Sequence, residues 1–170
     1  MIVLPADALV VLIGPSGAGK STFAARQFSA TQTLSSDAMR AIVADDPNDQ
    51  GATDAAFELL HTALDLRLAR GRLTVVDATN VEGWARTRLL TTAQRHRRRA
   101  AAIVLDLPLA VCLERNRSRL DRPLPPAAIR RQHARMRASL DLLAAEGFAW
   151  IVVFSSVEAV EAARVQVVTG

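Results

Sequence analysis

A continuous apolar run that ends in a glycine-rich turn is the feature that most constrains the fold. Residues 8–14 read ALVVLIG and carry no charge, as expected of a strand buried on both faces of a sheet. They lead directly into GPSGAGKST at residues 14–22, and a helix is predicted to open near Gly19. A strand, a glycine-rich turn and a helix N-terminus in succession present backbone N–H groups to an anion. We therefore expect an α/β protein built around a phosphate-binding turn.

The turn matches the P-loop, or Walker A, pattern of Gly-x4-Gly-Lys-Ser. Lys20 is the only lysine among the 21 basic residues of the chain. Its compact ammonium can reach between phosphates, where a planar guanidinium is too wide, and the Ser21 hydroxyl is a ligand for Mg²⁺. The alternative is a glycine-rich turn that only caps a helix. The pattern predicts ATP, or another nucleoside triphosphate, bound with Mg²⁺ by Gly14, Ser16, Gly17, Ala18, Gly19, Lys20, Ser21 and Thr22.

Apolar runs and helical stretches alternate along the rest of the chain. Further strands are predicted at 33–37, 73–80, 100–107 and 150–156, with helices at 54–70, 82–97, 109–119 and 126–146. Such alternation implies right-handed crossovers and a mostly parallel sheet covered on both sides. We expect residues 1–170 to form one three-layer α/β domain with the P-loop NTPase fold, of the adenylate-kinase-like type with a helical lid.

Composition favours a cytoplasmic protein without a membrane partner. No apolar run approaches the ~20 residues needed to cross a bilayer, and the N-terminus lacks the features of a signal peptide. The single cysteine, Cys112, excludes an internal disulfide and lies among apolar residues, where it is expected to be buried.

The segment SSDAMR, residues 35–40, supplies the candidate residues for the phosphate acceptor. It follows a predicted strand, and strand C-termini in a parallel sheet converge on the ligand crevice. Asp37 is a candidate base for an attacking hydroxyl, while Arg40, three residues on and on the same helical face, is a candidate ligand for an acceptor phosphate. Ser36 is expected to contact the acceptor. The alternative is that Asp37 is only an N-cap.

A second group of polar residues follows the strand LTVVD. Asp77 stands where a Walker B aspartate would position Mg²⁺ or support Ser21, unless it only bonds the following turn. Thr79 and Asn80 either line the acceptor pocket or make that turn, and the sequence does not separate these alternatives.

Residues 115–137 carry eight arginines, and the only acidic residues in or beside this stretch are Asp121 and the preceding Glu114, which predicts a polyanionic ligand. A helix, a break at RLDRPLPP and a second helix are typical of a lid over a nucleotide, and we call residues 115–137 the lid segment. Arg115 and Arg119 share one helix face and are the candidate arginines for stabilising the transferring phosphoryl group. A solvated surface role is the alternative for each arginine of the segment.

The segments GPSGAGKST, SDAMRAIVADDPNDQ, LTVVDATN and VCLERNRSRLDR together resemble the kinase module of bacterial polynucleotide kinase–phosphatases, the RNA end-healing enzymes. The resemblance runs in order through nearly the whole chain. It implies transfer of the ATP γ-phosphate to the 5′-OH end of RNA or DNA, with Asp37 as general base, Arg40 on the first acceptor phosphate and Arg115 and Arg119 as lid arginines. Gln50 matches the end of the family's acidic loop and is expected to touch the acceptor.

In that family the module is usually the N-terminal part of a longer chain with phosphatase and ligase modules, so the chain is expected to be an excised domain or a freestanding relative. Two other functions stay open: a kinase of a sugar, nucleoside or antibiotic, and a nucleotide-dependent switch without transfer activity. The chain has no tyrosine, and only Phe57 and Trp84 lie near the acceptor segments. Because base-stacking platforms are therefore few, we expect binding through phosphates and the terminal nucleotide.

Overall fold

The computed structural model describes residues 1–120 and 123–169, and a five-stranded parallel sheet forms its centre. The strands, in chain order, are β1 Ile2–Pro5, β2 Leu9–Ile13, β3 Thr33–Ser35, β4 Thr74–Asp77, β5 Ala100–Leu105, β6 Trp150–Phe154 and β7 Val165–Val168. The central sheet has the order β3-β4-β2-β5-β6, and β1 and β7 form a separate parallel pair. In that pair Ile2 lies opposite Val165 and Pro5 opposite Val168.

The helices connect successive strands and cover both faces of the sheet. They are α1 Lys20–Gln27, α2 Ser36–Ala44, α3 Thr53–Ala69, α4 Gly83–Arg95, α5 Leu109–Arg117, α6 Pro126–Ser139, α7 Leu143–Glu146 and α8 Val157–Ala162. Short 3-10 turns occupy Ala30–Gln32, Gln50–Ala52 and Leu140–Leu142.

Two hydrophobic cores lie on opposite faces of the sheet because alternate residues of β2 point to opposite sides. Val11 and Ile13 pack in one core with α3 and α4, whereas Val10 and Leu12 pack in the other with α1, α5 and α8. All five residues of β2 are fully buried, as the apolar run predicted. The expected three-layer α/β fold with a parallel sheet is confirmed.

Several predicted boundaries are too long at the carboxyl ends of strands. The strand predicted at 33–37 ends at Ser35, and the strand predicted at 73–80 ends at Asp77. The helix predicted at 126–146 is divided into α6, a 3-10 turn and α7. The predicted interruption between the two helices of the lid segment is present, because α5 ends at Arg117 and α6 begins at Pro126. Asp121 and Arg122 of the predicted basic stretch lie outside the described residues. No helix of the described chain is long and apolar enough to cross a membrane.

Candidate active site

The glycine-rich turn connects β2 to α1 and is shaped by its glycines. Gly17 and Gly19 have positive φ values of 83° and 93°, which side-chain-bearing residues rarely adopt. A Cβ on Gly17 would also collide with the carbonyl oxygen of Cys112 on α5. The Gly14 N–H donates to the Thr79 carbonyl at 3.0 Å, which ties the turn to the segment after β4. These constraints give the turn the concave shape in which successive backbone N–H groups can bind a phosphate group.

Lys20 begins α1 and folds back over the turn. Its Nζ donates to the carbonyl oxygens of Gly14 at 2.8 Å and Pro15 at 2.9 Å. Burial lowers the pKa of Lys20 from 10.5 to about 8, although the nearby carboxylates of Asp77 and Asp37 oppose this shift. A buried ammonium with so little solvation gains strongly from an anionic partner, so the turn suits the phosphates of a nucleotide.

Asp77 ends β4 beside the first turn of α1. Burial raises the pKa of the Asp77 carboxyl, and a hydrogen bond from the Ser21 side chain and the charge of Lys20 oppose that change. A serine hydroxyl and a carboxylate in contact provide the hard oxygen atoms that Mg²⁺ prefers, with phosphate oxygens and water completing its coordination. The residues present therefore fit an Mg²⁺–nucleotide complex, with Ser21 and Asp77 as the protein's contribution.

Asp37 and Arg40 form an ion pair on the first turns of α2. The N-cap of this helix is Ser35, whose hydroxyl accepts from the Ala38 N–H at 3.4 Å, so Asp37 is not the cap. The Arg40 guanidinium is buried and its Nε donates to the Thr53 hydroxyl at 3.3 Å, whereas the Asp37 side chain is 46% exposed. Arg40 is thus held in place while the Asp37 carboxylate faces the cleft.

A cleft of about 530 Å³ brings most of the predicted site residues together. The predicted residues that line it are Ser16, Gly17, Gly19, Lys20, Ser21, Thr22, Ser36, Asp37, Arg40, Gln50, Asp77, Thr79, Arg115 and Arg119. Gly14 and Ala18 belong to the turn without lining the cleft. The structure therefore brings the predicted donor side and acceptor side to one cavity.

Asn80 is the predicted acceptor residue that does not line this cleft, although it lines the adjoining groove between α3 and α4. It has a φ of 48° in the turn after β4, and its Nδ2 donates to the Leu12 carbonyl at 2.7 Å. Its own carbonyl accepts from Arg86 Nη1 at 2.9 Å. The fully buried Arg86 also binds Glu146 of α7 through two hydrogen bonds of 2.7 and 2.6 Å. Of the two alternatives for Asn80, the contacts favour the turn.

Contacts at two points join the described residues of the lid segment to the phosphate-binding turn. Arg115 Nη1 lies 3.4 Å from the Ala18 carbonyl, and Arg119, just beyond the end of α5, also lines the cleft. The second point is Gln132 on α6, whose Oε1 accepts from the Ser16 N–H at 2.9 Å. Sequence reasoning missed Gln132, although one signal was available: it is a polar residue spaced three and four positions from Ile129 and Met136, the buried residues of its helix.

The arginines of the lid segment do not form one uniform positive field. Ion pairs link Arg117 to Glu114, Arg135 to Glu82 and Arg137 to Asp106. These three pairs neutralise part of the charge that the sequence concentrates in this segment. Arg130 and Arg131 are exposed on α6.

Comparison with known proteins agrees with this geometry. A family model described as an AAA domain matches residues 9–143, from β2 to the start of α7. The chain belongs to this family. No curated protein matches the chain in sequence.

Three solved structures show the fold of this AAA domain. A chain of the Pnkp1/Rnl/Hen1 RNA repair complex matches with a TM-score of 0.69 and 19% identity over 84% of this chain. The match spans 47% of that longer chain. A gluconokinase from Sinorhizobium meliloti matches with a TM-score of 0.56 and 20% identity, covering 92% of this chain and 89% of its own. The tunicamycin resistance protein of Deinococcus radiodurans matches with a TM-score of 0.54 and 16% identity, over 85% of each chain. The P-loop kinase fold expected from the sequence is confirmed.

Proposed function

We propose that this AAA domain is a 5′-hydroxyl polynucleotide kinase that transfers the γ-phosphate of ATP to the 5′-OH end of RNA or DNA. The observation that carries the proposal is the Asp37–Arg40 pair, which lines the same cleft as Lys20 and Ser21. A carboxylate for a hydroxyl and a guanidinium for a phosphate suit an acceptor that offers both groups close together. The end of a nucleic acid strand is such an acceptor.

In the proposed reaction the 5′-hydroxyl oxygen forms a bond to the γ-phosphorus as the bond to the β,γ-bridging oxygen breaks. Asp37 orients the hydroxyl and accepts its proton, and ADP leaves. Lys20, Arg115 and Arg119 hold the negative charge of the phosphates during transfer. Ser21 and Asp77 would hold Mg²⁺, which would supply further neutralisation of the phosphate charge.

The repair-complex chain supports this choice of acceptor, because RNA repair is the work of the assembly in which that neighbour was solved. The resemblance of SDAMRAIVADDPNDQ and VCLERNRSRLDR to end-healing kinases points the same way. Gln50 lines the cleft, as the acceptor-side role proposed for it requires. The same proposal includes phosphatase and ligase modules as partners of this domain, and a cytoplasmic location.

A small-molecule kinase is the second candidate, and one observation favours it. Three of the lid-segment arginines are neutralised by Glu114, Glu82 and Asp106, so the surface near the cleft attracts a long polyanion less than the sequence predicted. The gluconokinase and antibiotic-resistance neighbours have the same fold. Under this alternative the cleft would accept a sugar or an antibiotic hydroxyl.

The deciding experiment offers ATP, Mg²⁺ and one acceptor at a time to the purified protein. A 5′-OH RNA, the matched 5′-OH DNA, the same strands with a 5′-phosphate, and a panel of sugars and nucleosides are compared by transfer of labelled phosphate. We expect label on the two 5′-OH strands and none on the 5′-phosphate controls. Label confined to a small molecule would reject the polynucleotide proposal in favour of the second candidate.

A further inference from the structure

A mostly apolar groove of about 350 Å³ adjoins the cleft on its acceptor side. It runs between α3 and α4, and Phe57, Ala78 and Thr79 line both the groove and the cleft. Asp37 and the phosphate-binding turn lie outside it. The groove is therefore continuous with the proposed active site, but phosphoryl transfer as described above makes no use of it.

Trp84 stands at the wall of this groove, in the first turn of α4, with 73% of its surface exposed. The other tryptophan, Trp150, is half-buried on β6 and packs under the Arg99 guanidinium, 4.5 Å from its ring centroid. An exposed indole is a large flat surface that gains free energy when another ring stacks on it. With Phe57 in the same groove, it gives the acceptor side two aromatic side chains.

Arg40 stands at the junction between the cleft and the groove. On the cleft side it is paired with Asp37, and its Nε donates to Thr53, which lines the groove. A ligand that spans the cleft and the groove thus has a carboxylate and a guanidinium on the cleft side and mostly apolar walls on the groove side. This arrangement matches a hydroxyl, a phosphate and a flat ring on one small unit, which is the composition of a nucleotide.

We infer that the groove binds the nucleobase of the acceptor's first nucleotide, stacked against Trp84 and Phe57. The inference rests on the proposed function and adds the part of the substrate that the phosphate contacts leave undefined. Of the charged residues in the lining, Arg88 and Glu58 pair with each other at 2.7 Å, Glu82 pairs with Arg135, and Asp54 is exposed to solvent. Recognition therefore depends on the faces of the base more than on its edges, and all four bases are accepted.

The test compares two 5′-OH oligonucleotides that differ only in the base of the first nucleotide, which is present in one and missing in the other. For the unmodified protein we expect the KM of the abasic strand to be about tenfold higher, the value of one stacked base. Trp84→Ala should raise the KM of the intact strand most of the way to that of the abasic strand, since only Phe57 still contacts the base, and leave the KM of the abasic strand unchanged. Trp150→Ala is the matched control and should preserve the tenfold difference. Equal effects of Trp84→Ala on both strands, or none on either, would overturn the inference.

A binding measurement without ATP separates this inference from the proposed function. In a Trp150→Phe protein, Trp84 is the sole tryptophan, and its fluorescence should be quenched by a nucleoside 3′-phosphate but not by ribose phosphate. Phosphorylation of oligonucleotides that does not depend on Trp84 would reject the assignment of the groove to the base and leave the proposed kinase function standing. Quenching without any phosphorylation of oligonucleotides would support the groove and count against the kinase.

Discussion

The side chain of Gln132 accepts a hydrogen bond from the backbone N–H of Ser16 at 2.9 Å, which joins helix α6 directly to the phosphate-binding turn. The amide oxygen of Gln132 binds an N–H of the kind that P-loops direct toward phosphate oxygens. The lid segment is therefore docked on the donor site through the same chemistry that the nucleotide uses.

Loss of this contact should loosen α6 in the nucleotide-free protein. For Gln132→Ala we expect backbone hydrogen–deuterium exchange across residues 126–139 to become about fivefold faster, the equivalent of ~1 kcal/mol for one hydrogen bond. Gln94→Ala, at an exposed glutamine of α4, is the control and should leave the exchange of α6 unchanged. Unaltered exchange in Gln132→Ala would show that the bond does not hold the helix.

Asp37 should be needed for transfer and not for nucleotide binding. Replacement by Asn or Ala removes the proton acceptor, and we expect turnover to fall by about 10²- to 10⁴-fold. The affinity for ATP, measured by calorimetry, should stay nearly unchanged because Lys20 and the turn are intact. Asp141→Asn, at an exposed aspartate, is the matched control. An Asp37→Asn protein with the parent's activity would favour a nucleotide-dependent switch.

The two lid arginines in the cleft should contribute to turnover through the geometry of their guanidinium groups. Arg115→Ala and Arg119→Ala are each expected to lower kcat by about 10³-fold. Replacement by Lys should restore little, since a point charge does not bridge two phosphate oxygens. Arg117→Ala is the control, because that arginine is exposed and paired with Glu114. Full recovery with lysine would mean that charge alone suffices.

Nucleotide affinity should fall at alkaline pH because the pKa of Lys20 is about 8 in the free protein. Phosphate binds the protonated amine and raises its pKa. Below pH 8 the amine of the free protein is already protonated, so the affinity for the nucleotide has its full value there. Above pH 8 the free protein loses this proton, and binding must restore it, so the affinity should fall by up to tenfold for each pH unit. Titrations from pH 7 to pH 9.5 test this. Lys20→Ala should bind weakly with no such slope, and a parallel slope in that variant would assign the effect to another group.

The buried Arg86–Glu146 pair should stabilise the protein. Arg86→Leu leaves the partly buried Glu146 carboxylate without its partner and frees the Asn80 carbonyl, so we expect a loss of about 3 kcal/mol in the free energy of unfolding. Urea denaturation measures the loss. The double variant Arg86→Leu/Glu146→Leu should recover part of it, because no unpaired charge remains. A double variant less stable than the single one would contradict this account.

The elements that the sequence predicted best are those whose burial decides their structure. The apolar runs of β2, β4 and β5 located the centre of the sheet, because strands buried on both faces are mostly apolar. The strand predicted at 73–80 was too long, because the polar residues after Asp77 form a turn in which Asn80 has a φ of 48°. Strands β1 and β7 and helix α8 were not predicted, since short segments such as Ile2–Pro5 carry little periodic signal.

The candidate site was predictable where residue type and position together determine the chemistry, as for Lys20 and Ser21 at the start of α1 and Asp77 at the end of β4. It was less predictable where partners are distant along the chain. The neutralisation of Arg137 by Asp106, and the contact of Gln132 with Ser16, depend on how helices cross the sheet. Asp37 lay between these cases, because only the structure shows that Ser35 takes the capping position.

The parallel pairing of β1 with β7 has a consequence for how the protein is made. Ile2 pairs with Val165, so among the described strands β1 stays without its partner during synthesis until β7 has been translated. Contacts between residues so far apart in sequence form slowly, and an unpaired strand edge can meanwhile pair with a strand of another molecule. A chain that stops before residue 165 should therefore be able to form the nucleotide cleft, but β1 would keep an unpaired edge.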